Sequence, residues 1–299
     1  MAYFNVEHPE KNKIVNQAMK DYDVKTLKDY KAYLSKYLSK QPLNVIRNVI
    51  EKAIVRDDIS ILEMFEKYIP QISDSEGITP LMYASELGRL EIVKYLCTFV
   101  DINQVDSANC SALIYATTYG NSDIAIYLCK MGADPNIERT DGKNAGETAL
   151  MYACWQCHYN AVAALISAGA KVNVSRKHGD RFTPLMYAMS NIYGVDSKRR
   201  IIKLLIQSDA NVIATDSDGD TIYDFPGAKD ILYMPPSHNV RNAVRHGPGS
   251  EYYYKTENQF KRIQYENTPL NTVANLVDIP QRKRKRKTRR RSTRKNHST

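Results

Sequence analysis

Cys154, Cys157 and His158 stand in the order C-x-x-C-H, the spacing used for haem attachment. The same side chains are metal donors, but no second Cys/His pair elsewhere completes the four ligands that zinc needs. Gly247-Pro248-Gly249 has the glycines of a phosphate loop; Pro248 removes a needed N–H, and no strand precedes it. Arg282-Lys283-Arg284-Lys285-Arg286-Lys287, followed by Arg289, Arg290, Arg291, Arg294 and Lys295, could neutralise phosphates or serve as a nuclear localisation signal. No aromatic residue interrupts that run, so any nucleic-acid contact through it would be phosphate-driven and blind to sequence. His158 and His178 have no evident nucleophile between them, and the acids are scattered through turns. The expectation is a chain that is not an enzyme, with no cofactor and no metal.

The elements that must position these residues come from a repeated phrase. Thr79-Pro80-Leu81-Met82-Tyr83-Ala84 recurs as Ser111-Ala112-Leu113-Ile114-Tyr115-Ala116, Thr148-Ala149-Leu150-Met151-Tyr152-Ala153 and Thr183-Pro184-Leu185-Met186-Tyr187-Ala188, at intervals of 32, 37 and 35 residues. Such a period marks a repeat array. Each phrase opens a short helix, with Thr or Ser able to cap free N–H groups and Pro tolerated at the next place. In the first copy Leu81 and Ala84 make one apolar stripe, Gly88 breaks the helix, and Ile92, Val93 and Leu96 make a second. Helices shorter than roughly 12 residues are unstable alone, so the pairs must stack to survive.

The pattern resembles the ankyrin repeat family over about residues 45–234. The phrases, the runs Gly132-Ala133-Asp134-Pro135-Asn136 and Gly169-Ala170-Lys171-Val172-Asn173, and the turns Asp74-Ser75-Glu76-Gly77 and Asp216-Ser217-Asp218-Gly219 recur in register. The resemblance implies an all-α, ankyrin-type helical solenoid used for partner recognition. It also explains the C-x-x-C-H run, because Cys157 aligns with Gly88 and Gly120, and His158 falls where the family usually carries His. One departure is that the family's His within the opening phrase is Met82, Ile114, Met151 and Met186, which removes its loop-bridging hydrogen bond. The fifth phrase, Thr221-Ile222-Tyr223-Asp224-Phe225-Pro226, is cut short by proline.

Charge separates the array from its tail. The net charge is +9, but residues 281–299 hold 11 Lys and Arg and no acid, which leaves 31 bases against 33 acids in the rest. Five cysteines, an odd number, and no evident signal peptide point to a reducing, intracellular setting without a disulfide framework. No apolar run reaches the roughly 18 residues of a membrane span, so no membrane contact is expected. Residues 1–44 read as an N-terminal helical cap, with helices over about 11–21 and 24–39. Residues 45–234 are the array, with a degenerate first repeat and a truncated last one. Residues 235–280 read as a mostly disordered linker and 281–299 as a disordered basic tail.

The resemblance places a partner on the concave side, formed by the first helices and turn tips. Variable positions there are Glu86, Leu87, Tyr119, Trp155 and Gln156, and Phe182 precedes the fourth phrase. Loops 137–147 and 174–182 are longer than the others and carry Arg139, Lys143, Arg176 and Arg181. A further insertion is expected at about 191–197. These loops lie on the binding face or are neutral drift; Trp155 is an interface anchor or packs on the loops beside it. The leading expectation is a protein-interaction scaffold with a nuclear localisation signal. The alternative is a nucleic-acid-associated adaptor whose tail grips phosphates. An import receptor is a possible partner of the tail in either case.

Overall fold

The computed structural model describes residues 9–29, 42–190, 195–226 and 228. Twelve α-helices are found among them. Helices α1 (Pro9–Asp21) and α2 (Val24–Asp29) precede five pairs: α3 (Leu43–Val55) with α4 (Ile59–Phe65), α5 (Pro80–Glu86) with α6 (Leu90–Leu96), and α7 (Ala112–Thr118) with α8 (Ser122–Met131). Then come α9 (Ala149–Trp155) with α10 (Tyr159–Ser167), and α11 (Pro184–Ser190) with α12 (Val195–Gln207). The described residues contain no β-strand, only isolated bridges between Val105 and Ser111 and between Glu138 and Thr148.

Each first helix packs on the next, from α3 through α5, α7 and α9 to α11, and the second helices stack likewise from α4 to α12. The phrase residues that recur, such as Leu81, Leu113, Leu150 and Leu185, are buried in one continuous core. Burying one such leucine contributes roughly 2 kcal/mol, which no single pair could accumulate enough of without neighbours. α1 and α2 add Val15, Ala18, Met19 and Leu27 to this core, and Lys52 Nζ donates to the Lys20 carbonyl at 2.6 Å. The degenerate first repeat folds as a true pair, with Asp57 (φ 57°) taking the left-handed place that Gly88 (φ 73°) takes in the next. At the other end Thr221, Ile222 and Tyr223 are buried without forming a helix, because the Thr221 hydroxyl and N–H both donate to Asp224 in a tight turn before Pro226.

Asparagines hold the repeats in register. Asn103 Oδ1 accepts the Asp134 N–H (2.8 Å), Asn136 accepts that of Lys171 (2.9 Å), and Asn173 accepts that of Asn211 (2.7 Å). Asn136 and Asn173 also donate onward, to the carbonyls of Gly169 and Asp209. Each amide therefore bonds to the repeat that follows it.

Three expectations need correction. Only Thr79 and Thr183 cap their helices, accepting the N–H groups of Met82 and Met186 at 3.3 Å. Ser111 and Thr148 have buried hydroxyls without a partner; they pair through the backbone with Val105 and Glu138 across the hairpin stem instead. The methionine that replaces the family's histidine does not simply delete a bond, since Met82 Sδ accepts the Thr79 N–H (3.4 Å) and Met186 Sδ that of Thr183 (3.5 Å). This is a reciprocal cap with sulfur in the acceptor's role. Finally, the expected insertion at 191–197 is shorter, because α12 has begun by Val195.

Residues 191–194 lie outside the described residues, as do 30–41, on which the remainder of the expected 24–39 helix falls. The linker at 235–280 and the basic tail, including Arg282 to Arg291, lie outside them too.

Candidate partner-binding groove

The ends of the first helices form the site. Leu87 caps the C-terminus of α5, Tyr119 caps α7, and Trp155 closes α9. Their alignment is fixed from behind by side chains ten residues after the first two phrase starts. Arg89 Nη2 donates to the Val55 carbonyl (2.7 Å), and Asn121 Nδ2 donates to the carbonyls of Ser85 and Glu86 (both 2.8 Å). Gln156 Nε2 adds a bond to the Thr118 carbonyl (3.0 Å). The last carbonyls of each helix, which have no partner of their own in the helix, are thus used to hold the next repeat.

This geometry leaves large apolar side chains in the open. Leu87 is 37 % exposed, Tyr119 55 % and Trp155 49 %. The Tyr119 ring lies parallel to that of Tyr115, with centroids 6.4 Å apart. Burial, together with the nearby Glu86 carboxylate, holds the Tyr119 phenol above its usual pKa. Glu86 and Gln156 are half-buried at the base of the row. The structure therefore brings together Glu86, Leu87, Tyr119, Trp155 and Gln156.

The other predicted residues face different surroundings. Phe182 packs between Tyr187 (centroids 5.8 Å) and Phe225 (5.4 Å). Lys143 and Arg181 are exposed on the enlarged loops. Arg139 and Arg176 turn inward. In the short hairpins Asp74, Asp106 and Asp216 pair their N–H with the carbonyl of the residue before the phrase, and each carboxylate caps two loop amides. Arg139 and Arg176 make the same backbone bond, to Glu147 (2.9 Å) and Phe182 (3.2 Å), so each stands in the aspartate's place. Each guanidinium then finds a carboxylate further along its own loop: Arg139 to Asp141 at 2.7 Å and Arg176 to Asp180 at 3.0 Å.

Between them lies Glu147, the residue before the third phrase, whose role sequence reasoning did not identify. Glu147 is 6 % exposed and accepts hydrogen bonds from Tyr187 (2.6 Å) and from Tyr152. Arg176 Nε lies 3.4 Å from the same carboxylate, and Arg139 Nη1 donates to the Tyr152 hydroxyl (2.9 Å). Burying a carboxylate is costly unless such partners satisfy it. Burial and the Glu147 carboxylate both drive the Tyr152 and Tyr187 phenols upward. The legible signal was the tyrosine at the fifth place of each of the four full phrases; in the second copy Tyr115 likewise donates to Asp106 (2.8 Å).

The C-x-x-C-H run has a structural explanation. Cys154 is fully buried on the core side of α9, and Cys157 (φ 57°) occupies the left-handed turn held elsewhere by Gly88 and Gly120, a conformation costing about 1 kcal/mol without glycine. His158 lies over Gly120, whose missing Cβ would meet it at 3.2 Å, as Asn121 lies over Gly88. Burial raises the thiol pKa of both cysteines and lowers that of the imidazole. Among the described residues no group of three or more His, Cys, Asp or Glu is placed to hold a metal ion. All five cysteines are free thiols. No described helix is long and apolar enough to cross a membrane.

The chain matches the family model for ankyrin repeats (3 copies) over residues 50–139 and 138–216, more than half of its length. No curated protein matches it.

Proposed function

The chain belongs to the ankyrin repeat family, whose arrays generally mediate protein–protein interaction, and from that premise we propose a non-enzymatic scaffold that binds a protein partner along the row Glu86, Leu87, Tyr119, Trp155 and Gln156. The observation that carries this reading is the run of exposed Leu87, Tyr119 and Trp155 on three consecutive, rigidly aligned helix ends. Large aromatic side chains held in the open on a fixed frame are the usual anchors of interfaces. Lys143 and Arg181 sit on the neighbouring loops, where they would guide the approach of a partner rather than supply the central contact.

A photo-crosslinking amino acid placed at Gln156 tests this in cells. A partner is expected to be trapped there and not from Lys94, which lies on α6 in the second-helix layer and pairs with Glu91. Crosslinks confined to position 94 would overturn the groove reading.

We further propose that residues 1–44 cap the array, that 45–234 form it, and that 235–280 link it to a tail at 281–299 acting as a nuclear localisation signal. The run Arg282-Lys283-Arg284-Lys285-Arg286-Lys287 supports the last of these, since so dense a charge suits an import receptor. A fluorescent full-length chain should then concentrate in the nucleus, whereas one ending at Pro280 should spread evenly between nucleus and cytoplasm. Equal distribution of the two would remove the nuclear reading.

A further inference from the structure

Resting on the groove reading above, we infer that the partner presents an extended, arginine- or lysine-bearing segment, whose cations lie on the faces of Tyr119 and Trp155 and pair with Glu86. Two observations carry it. Tyr119 and Trp155 are both about half exposed, and the π-face of such a ring attracts a desolvating cation. Glu86, half-buried on the same helix end as Leu87, places its charge close enough to Tyr119 to raise that phenol and makes no ion pair among the described residues.

Two nearby arginines are already paired, while the exposed Lys143 and Arg181 stand on the loops and would meet acidic groups elsewhere on the partner. Arg47 is paired with Glu51 at 3.2 Å, and Arg139 is committed to Asp141 and Tyr152. Asp106 accepts from the Tyr115 hydroxyl. Residues 42–228 as a whole carry 23 Asp and Glu against 17 Lys and Arg, so the array attracts a basic segment at long range as well. Leu87 completes the surface as a site for the aliphatic stem of a long cationic side chain, which packs its methylenes on apolar groups while its head stays polar.

The test uses the full chain, because its single tryptophan, Trp155, is a fluorophore inside the site. Three pools of synthetic peptides, Arg/Lys-rich, Asp/Glu-rich and neutral apolar, are titrated while Trp155 emission is followed. The basic pool should change the emission saturably, with binding that weakens as salt is added. Glu86→Gln keeps the size of the side chain but removes its charge, and should weaken the basic pool about five-fold and flatten its salt dependence. Tyr119→Ala should weaken it by roughly ten-fold. A response to the acidic or neutral pool alone would overturn the cationic assignment and leave the groove reading in place. Unchanged binding in Glu86→Gln would overturn it in the same way. No response to any pool would overturn it too, with the groove reading then decided by the Gln156 crosslinks.

Discussion

Replacing Glu147 with alanine should cost the array about 3 kcal/mol, the largest loss expected from any polar substitution described above. The carboxylate is buried and serves two phenols and a guanidinium at once. Its removal leaves Tyr152 and Tyr187 without their acceptor and weakens the hold on Arg176, which keeps Asp180 and the Lys143 carbonyl. Glu147→Gln should cost less, about 1 kcal/mol, because one neutral acceptor remains. The bond to Tyr187 crosses from one repeat to the next.

The loss should therefore fall on the coupling between repeats as well as on total stability. In a stack, coupling sets how sharply the whole array unfolds. Urea titration of the full chain, followed by far-ultraviolet circular dichroism, should show an earlier and broader transition for Glu147→Ala. A midpoint and slope equal to those of the parent would mean that the network is dispensable.

Trp155→Ala is the second. It should weaken the complex with whatever protein crosslinks at Gln156 by about 2 kcal/mol, close to thirty-fold, since centrally placed tryptophans are the commonest anchors of binding energy. Stability should hardly change, by contrast, because half of the side chain is already in solvent. Binding can be read by titration calorimetry, and the fold by the same urea transition. If the substitution instead lowers stability by several kcal/mol, Trp155 is a packing residue for the adjoining loops, and the groove loses its anchor.

Several features were legible in the order of the amino acids alone. The phrase period located the helix pairs, and the phrase register placed Cys157 at a turn position, because a residue aligned with two glycines must accept their backbone conformation. The degenerate first repeat was likewise legible, and it folds as a helix pair. What failed was the treatment of equal residues as equal in role. Four Thr or Ser residues begin the phrases, yet only two cap, and the difference depends on how the hairpin ahead of each is closed. Arg139 and Arg176 read as free loop cations, whereas the chain folds them inward to the carboxylates of Asp141 and Asp180.

The sequence by itself determined that this chain is a stack of helix pairs, because local apolar spacing and turn residues act within one repeat and need only repeat to be seen. It also determined which helix ends would carry Leu87, Tyr119 and Trp155. Only the tertiary structure decided which charges remain for a partner. Glu147 joins Tyr187, forty positions away, to Tyr152 and Arg176. Pairing of that kind depends on the rise and rotation from one repeat to the next, which exist only once the repeats have stacked.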